Sequence, residues 1–266
     1  MTMRVAEEIM RYQVPPGAVA IWWLGQNSYL LKSPASLIMV DPFFSRPGKA
    51  EAYLHAQAPL RAEELRPDAV FCTHAHSDHT DPGFLSALAS RWPGVRFFGP
   101  PESAQQMTGA GIAAHRVTAV AAGEVADLGT VSAQVVLSKT AQVSDVAHLG
   151  YIFGFGGACK VYNTGDIMRG VMGEPALAEP LRGAAPEVAL LTTSPTEQEF
   201  PDFAEAAALA REIGARVAIP AHYGCFSKRT FDPAGFAAQF AEGEGTRAVI
   251  IPYCGVYLHR AEAASA

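Results

Sequence analysis

The chain has 266 residues, of which 49% are hydrophobic and 17% charged, and this is enough apolar material for one sizeable core. Its formal net charge of −6 argues against a basic surface for duplex nucleic acid or for an anionic membrane. No apolar run approaches the ~20 residues that a membrane-spanning helix needs. We therefore expect a single domain over residues 1–266 that binds neither nucleic acid nor a membrane.

The N-terminal residues and the cysteines indicate the compartment. Residues 1–17 are charged and amphipathic, and they lack the apolar core of a secretory signal. The four cysteines are dispersed and include no C-x-x-C pair, which is typical of free thiols in a reducing compartment. We expect a cytoplasmic protein without disulfides.

In chain order, a short helix opens the chain and three strands follow it. The helix is predicted from "AEEIMRYQ" and is closed by Pro15, Pro16 and Gly17. The strands are predicted from "AVAIWWLG", "SYLLK" and "SLIMVDP". Trp22 and Trp23 point to opposite sides of the first strand, so at least one of them should enter the core.

Residues 42–66 are more polar and irregular, and a stretch of this length between strands is usually functional. It suits a lid or a binding loop, and it suits an interface in a homo-oligomer equally well. The segments after it alternate, as strand "DAVFCTH", helix "PGFLSALASRW", strand "VRFFGP" and helix "ESAQQMTGAG". Residues 115–138 alternate in hydrophobicity and predict a meander of strands.

The second half of the chain again combines predicted strands with predicted helices. Its predicted helices are "DFAEAAALAREIG" and "PAGFAAQFAEG", and its predicted strands are "LGYIFGFG", "ACKVYNTGD", "EVALLTT", "ARVAIPAH", "RAVIIP" and "GVYLHR". Strand-rich stretches with interspersed helices in both halves favour an α/β fold in which two sheets pack together with helices outside.

The turn "FCTHAHSDHTD" concentrates metal-binding side chains. His74 and His76 share one face of an extended or turn conformation, whereas Asp78 and His79 leave at another angle and suit a second point. A polar surface loop is the alternative interpretation. However, imidazoles and a carboxylate crowded in this way lose solvation unless a cation organises them. The turn therefore predicts a site for zinc, iron or manganese.

Ligands from farther along the chain must complete such a site. His148, Asp166 and His222 each stand at an end of a strand-like segment, where loops present functional groups. Gly165 lets the backbone turn sharply and aim Asp166 inward. Each of these residues taken alone fits a structural role better than a ligand role.

Four other residues are candidates for supporting roles. Asp41 is placed to orient a ligating imidazole, or it caps its own Asp-Pro turn. Tyr223 is placed to donate a hydrogen bond to an oxyanion, or it packs. Lys228 and Arg229 follow His222 closely and are candidates for binding an anionic substrate group, although most such side chains are simply solvated.

The H-x-H-x-D-H turn, a later histidine, the "TGD" aspartate and the "PxH" histidine occur in an order that resembles the metallo-β-lactamase fold superfamily. Within it, "QVPPGAVAIWWLG", "YIFGFGGACKVYNTGD" and "ARVAIPAHYGCF" are similar to the L-ascorbate-6-phosphate lactonase branch. The resemblance implies a four-layer αββα sandwich with metals at one edge of the two sheets. The chain departs from the pattern at Gln26, where many members carry a histidine.

The resemblance also implies the ligands of two divalent ions, zinc or manganese with iron also allowed. They are held by His74, His76 and His148 and by Asp78, His79 and His222, with Asp166 bridging them. Such a pair activates a bound water as a hydroxide and polarises a carbonyl or phosphoryl oxygen. Asp78, which also touches this water, is the candidate catalytic residue for proton transfer.

We therefore predict a metal-dependent hydrolase of a small molecule, most simply a lactonase acting on a sugar-acid-type lactone. The alternative is a phosphodiesterase acting on a cyclic nucleotide or a phospholipid-type ester, since both reactions use the same hydroxide and Lewis acid. Di-iron oxygen or nitric oxide reductases of the superfamily usually replace His76 by a glutamate, which disfavours that class. A catalytically silent scaffold would not need every ligand.

Overall fold

The computed structural model describes residues 5–156 and 159–261. Within them lie the strands β1 (Ala18–Trp23), β2 (Tyr29–Lys32), β3 (Leu37–Val40), β4 (Ala69–Phe71), β5 (Arg96–Gly99), β6 (Val117–Ala119), β7 (Val125–Asp127), β8 (Val131–Leu137), β9 (Leu149–Phe155), β10 (Cys159–Asn163), β11 (Val188–Thr192), β12 (Val217–Ala221), β13 (Arg247–Ala248) and β14 (Val256–Arg260). The α-helices are α1 (Val5–Arg11), α2 (Pro82–Arg91), α3 (Pro101–Gly109), α4 (Pro175–Ala178), α5 (Phe203–Glu212) and α6 (Ala234–Ala237). Single 3-10 turns occur at Ala50–Ala52, Ala114–Arg116 and Val171–Gly173.

The strands form two seven-stranded sheets of matching design. The first sheet has the order β14-β1-β2-β3-β4-β5-β6, and the second has the order β13-β12-β11-β10-β9-β8-β7. In the first, β3 to β6 are parallel and the others antiparallel; in the second, β10 to β13 are parallel. Each sheet therefore has one parallel half, whose carboxyl ends lie along one edge.

Three apolar layers hold the sheets and helices together. The central layer fills the space between the sheets and includes Ile21, Phe71 and Phe153. A second layer packs α1, α2 and α3 on the first sheet, and a third packs α4, α5 and α6 on the second. The result is the predicted αββα sandwich, because each sheet buries one face against the other sheet and one against helices.

The two tryptophans of β1 illustrate this double burial. Trp22 belongs to the layer under the helices and Trp23 to the layer between the sheets, and both are buried. The prediction that they point to opposite sides is confirmed. Because β1 is covered on both faces, its sequence is apolar throughout rather than alternating.

Two predictions about the elements were wrong. Residues 115–138 do not form one meander, because β6 pairs parallel with β5 in the first sheet while β7 and β8 pair in the second. Alternating hydrophobicity indicates that one face of a strand is buried, but it does not indicate which neighbouring strand it pairs with. The helix predicted from "PAGFAAQFAEG" is only four residues long in the structure, as α6. The short helix α4 was not predicted.

Asp81 joins the metal turn to the irregular segment 42–66. Its carboxylate caps α2 by accepting the backbone N–H of Phe84, and it also accepts the N–H groups of Phe44 and Ser45 and the Ser45 hydroxyl. The segment then packs Phe43 and Tyr53 against Cys225 and Phe226, just beyond the end of β12. Segment 42–66 is thus fastened beside the edge where the parallel strands end.

Within residues 5–156 and 159–261, no helix combines the length and the apolar character that crossing a membrane requires. All four cysteines are free thiols; Cys254 is partly exposed and the other three are buried.

Candidate metal centre

Three imidazoles converge at the end of β4. His74 is buried, and its Nε2 lies 3.0 Å from Nδ1 of His76. The ring of His148, which enters from the residue before β9, stacks on His74 with ring centroids 3.9 Å apart. The candidate ligand atoms of these three residues all lie within 4.8 Å of one another. The structure thus brings together the first predicted ligand set.

A second group of three forms beside the first. Nε2 of His79 lies 3.7 Å from Oδ2 of Asp78, and Nε2 of His222 lies 3.9 Å from the same oxygen. Ligand atoms of these three residues also lie within 4.8 Å of one another. His222 follows β12 directly, so the second sheet delivers it to the turn that the first sheet carries.

Asp166 lies between the two groups. Its Oδ2 is 3.7 Å from Nε2 of His74, and its Oδ1 is 3.4 Å from Nε2 of His79 and 3.3 Å from Nε2 of His222. Its two oxygens thus face both groups, and the bridging role that the resemblance implies stays a prediction. Gly165 allows the backbone turn that orients Asp166. Its φ is +54°, and a Cβ there would lie 2.5 Å from the carbonyl oxygen of Leu149, so only glycine fits this position without strain.

Asp41 fixes the orientation of His79. Its fully buried carboxylate accepts hydrogen bonds from the backbone N–H and hydroxyl of Thr73 at 2.7 and 2.6 Å and from the Asn27 amide at 2.7 Å. It also lies 2.7 Å from Nδ1 of His79, so Nε2 of that ring faces Asp78 and Asp166. These bonds match an orienting role rather than the capping of its own turn.

Backbone strain is concentrated at this site. Gln26, Asp41 and His222 have φ values of 53°, 42° and 67°, in the left-handed region that residues with a Cβ rarely adopt. Backbone hydrogen bonds hold all three, because their N–H groups donate to the carbonyls of Tyr223, Phe71 and Gln26 respectively. Strain of this kind persists where the surroundings over-determine the conformation, as at functional sites.

The two groups differ in charge. Burial, reinforced by neighbouring imidazoles, holds the pKa of His74 well below its usual range, and burial together with Lys139 lowers the pKa of His148 to about 3. Burial also lowers the pKa of His79, but the carboxylates of Asp166, Asp78 and Asp41 outweigh it and raise that pKa to about 10. His74 and His148 therefore present neutral imidazole nitrogens, and His79 lies in a negative field.

Unpartnered atoms test whether divalent cations fit here. Among the described residues, Nε2 of His79, both ring nitrogens of His148 and Oδ1 of Asp166 are buried without a hydrogen-bond partner. Buried polar atoms are seldom left unpaired, because each loses its hydration. Imidazole nitrogen and carboxylate oxygen are ligands of zinc, manganese and iron. The cluster fits divalent cations, which would coordinate these atoms.

The other predicted residues lie around this cluster. Arg229 forms an ion pair with Glu197 at 2.6 Å, and Lys228 lies exposed beside it. The ring of Tyr223 stacks on Trp23 and Phe231 in the layer between the sheets. These contacts assign Tyr223 a packing role, and its role as an oxyanion donor stays a prediction that they do not favour.

Sequence reasoning missed Lys139. Its side chain is only 5% exposed, and its Nζ lies 2.9 Å from Oε2 of Glu199 and 5.1 Å from the centre of the Phe200 ring. That ring lies 4.8 Å from the ring of His222. Lys139 belongs to no spacing motif; the available signal was a lysine directly after the strand "VSAQVVLS", at the edge to which His148 was already assigned.

Comparison with known families decides the classification. The family described as "Beta-lactamase superfamily domain" matches residues 37–223, which is more than half of the chain. The chain belongs to this superfamily.

A relative named UPF0173 metal-dependent hydrolase, from Methanosarcina mazei, is 28% identical over 237 residues, covering 87% of this chain and 94% of the relative. A second, from Symbiobacterium thermophilum, is 27% identical over 241 residues, covering 87% of this chain and 96% of the relative. A probable L-ascorbate-6-phosphate lactonase, UlaG of Escherichia fergusonii, is 29% identical over 144 residues, which are 45% of this chain and 41% of that protein. The chain is a metal-dependent hydrolase of the beta-lactamase superfamily, as predicted.

Solved structures agree on the fold. The metallo hydrolase Igni18 of Ignicoccus hospitalis superposes with a TM-score of 0.68 at 20% identity, covering 91% of this chain and 99% of that one. An isothiocyanate hydrolase from Delia radicum gut bacteria gives 0.71 at 15% identity, covering 91% and 100%. At such identities the likeness shows the fold alone, and the αββα prediction is confirmed.

Proposed function

We propose that this hydrolase is a lactonase that opens a small, anionic, sugar-acid-type lactone. The observation that carries the proposal is a pair of cations, Lys139 and Arg229, that flank the cluster. Each is held by a glutamate of one connection, Glu199 at 2.9 Å and Glu197 at 2.6 Å. The partial similarity to a lactonase that acts on a phosphorylated sugar acid supports the same class.

The two cations suit a substrate that carries a carboxylate or a phosphate. Burial lowers the pKa of Arg229, but Glu197 and the charges of Asp78 and Asp166 outweigh it, which supports a guanidinium close to the cluster. An anionic group that enters there competes with Glu197 and Glu199 for the cations. Charge-assisted hydrogen bonds to the cations stabilise it. An uncharged lactone would bind without these charge-assisted hydrogen bonds.

Divalent cations, which we propose to be zinc or manganese, would lower the pKa of a water in the cluster and polarise the lactone carbonyl. Asp78 is suited to move the proton, because its side chain is 16% exposed while those of Asp41 and Asp166 are 0% and 6% exposed. Proton transfer needs a base that the substrate and its water can reach. The expected partner is a small molecule, and neither nucleic acid nor membrane is required.

The test begins with metal counted by elemental analysis on protein purified without a chelator. The metal-loaded protein is then offered matched lactones with and without an anionic substituent, together with phosphodiesters. We expect two metals per chain and preferential turnover of the anionic lactones, and we expect His76→Ala to abolish it. Preference for phosphodiesters would replace the lactonase by the alternative hydrolase, and equal turnover by His76→Ala would reject metal-dependent catalysis in this cluster.

A further inference from the structure

Gln26 lies inside the second group of ligands. Its carboxamide Nε2 is 2.9 Å from Oδ2 of Asp78 and 2.9 Å from Nε2 of His222. Both are atoms that face the space between Asp78, His79 and His222. Gln26 is 1% exposed, so its side chain is part of the interior of the site and not of its rim.

The backbone holds Gln26 in this place. Its N–H donates to the carbonyl of Tyr223 at 2.8 Å, and its carbonyl accepts the N–H of His222 at 3.1 Å and the indole N–H of Trp23 at 3.0 Å. The left-handed φ of 53° is kept by these three bonds. The carboxamide therefore cannot leave the site without breaking the contact between segments 25–28 and 222–224.

The hydrogen bond to His222 is incompatible with a cation at the same nitrogen. Nε2 of a neutral imidazole has one lone pair, which either accepts a hydrogen bond or binds a metal. Loading the second group therefore displaces the Gln26 amide nitrogen from His222. The other end of the carboxamide, Oε1, is buried without a hydrogen-bond partner among the residues that the structure describes.

A half-turn about the last side-chain torsion exchanges the two ends of a carboxamide at little cost, since that torsion is broad and the ends are nearly the same size. After this exchange the oxygen faces Asp78 and His222. The buried oxygen then gains the cation as a partner, and this gain has to offset the two contacts that the amide nitrogen gives up.

We propose that Gln26 gives its carboxamide oxygen as a further ligand to the cation held by Asp78, His79 and His222. The inference rests on the cation centre of the proposed function. Carbonyl oxygen suits Mn²⁺, whereas imidazole suits Zn²⁺. Gln26 thus biases the second position towards Mn²⁺, at the place where many superfamily members carry a histidine.

The test is a metal titration of the metal-free protein with Mn²⁺ and with Zn²⁺, by calorimetry and by competition with a chelating dye. We expect Gln26→Ala to weaken the second equivalent of Mn²⁺ by at least about 10-fold and to leave the first unchanged. Gln26→His should shift the second position towards Zn²⁺. The control is Gln106→Ala, which removes an amide bonded at 2.9 Å to the backbone of Ala75 in the metal turn but no contact with a ligand atom.

Gln26→Glu separates a ligand from a hydrogen-bond donor, because it keeps an oxygen and cannot donate. As a ligand it binds the second Mn²⁺ at least as tightly as the native chain, and the visible spectrum of the Co²⁺-loaded protein keeps its intensity. If Gln26→Glu weakens binding as much as Gln26→Ala, the amide is only a donor and the inference is overturned. A native chain that binds one equivalent or none would instead reject the two-cation centre itself.

Discussion

At the scale of single residues, the carboxylate of Asp41 shows how one buried charge orders the site. It receives three hydrogen bonds from Thr73 and Asn27 and holds Nδ1 of His79 at 2.7 Å. With Nδ1 engaged, only Nε2 of His79 is left to face Asp78 and Asp166. A ring that is fixed in this way loses less conformational entropy when it binds a cation.

Asp41→Asn should therefore weaken metal binding by about 10–100-fold, because an amide turned towards these donors cannot satisfy them all or hold the imidazole. The measurement is competition with a chelating dye. Asp127→Asn, an exposed position whose oxygen accepts the N–H of Gly129, is the control. Unchanged metal affinity in Asp41→Asn would show that His79 is oriented by its packing alone.

Gly165 gives a second prediction. Gly165→Ala should unfold at lower urea concentration than Gly129→Ala, although both glycines have a left-handed φ, +54° and +84°. Both changes incur the left-handed cost of about 1–2 kcal/mol. Only at Gly165 does the added Cβ also collide, with the carbonyl oxygen of Leu149 and the side chain of Thr73; nothing lies within 4 Å at Gly129. Equal losses of unfolding free energy in the two variants would mean that the strand ends relax around the methyl group.

The residues that could be predicted from the sequence are those whose geometry is local. His74, His76, Asp78 and His79 share one turn, so their convergence follows from backbone periodicity. Gln26 meets the same cluster only through the fold, since it is 52 residues from Asp78 and 196 from His222 along the chain. No single-sequence pattern encodes such a contact, and the same holds for Phe200.

At the scale of elements, the N-terminus of α2 does more than begin a helix. Asp81→Ala should lower the free energy of unfolding by about 0.5–2 kcal/mol through loss of the cap. It should also free segment 42–66, because Asp81 binds the backbone of Phe44 and Ser45 and the Ser45 hydroxyl. Limited trypsin digestion should then cleave after Lys49 faster than in the native chain.

Asp202→Ala is the matched control for this variant. It removes the cap of α5, where Asp202 and Glu205 form a reciprocal pair of hydrogen bonds, and it leaves segment 42–66 untouched. Stability should fall in both variants, and accelerated cleavage should appear only in Asp81→Ala. Equal cleavage rates would place the anchor of the segment in its contacts with Cys225 and Phe226.

At this scale the ends of strands could be located from the sequence, whereas the neighbour of each strand in the sheet could not. His148, Asp166 and His222 were each predicted at an end of a strand-like segment, and the structure brings all three from strand ends to the cluster. The partner of β6 could not be predicted in the same way. Three residues, two of them exposed, offer too little apolar area to specify which neighbour they join.

At the scale of the whole molecule, burial in the packed layers controls the chemistry of the thiols. Burial raises the pKa of Cys72 far above its usual range, that of Cys159 to about 12, and those of Cys225 and Cys254 to about 11. Since the thiolate is the reactive form, the folded chain should react slowly with DTNB at pH 8, with Cys254 first.

All four thiols should react rapidly once the chain is unfolded in guanidinium, which the absorbance of the released thionitrobenzoate records. Cys254→Ser is the control, and it should remove the earliest phase of the native reaction. Rapid labelling of two or more thiols in the folded chain would indicate that a buried layer of the molecule opens on the timescale of the assay.

The ligands of the candidate centre come from both sheets, and this has a mechanical consequence. The chain itself passes from one sheet to the other only twice within the residues described, through 120–124 and 249–255. A cation that binds Asp78 and His222 would add a third tie and close a loop of more than half the chain. Like a cross-link, it would restrict the unfolded chain and resist shear between the sheets, so metal content would set how long the sandwich survives heating or pulling.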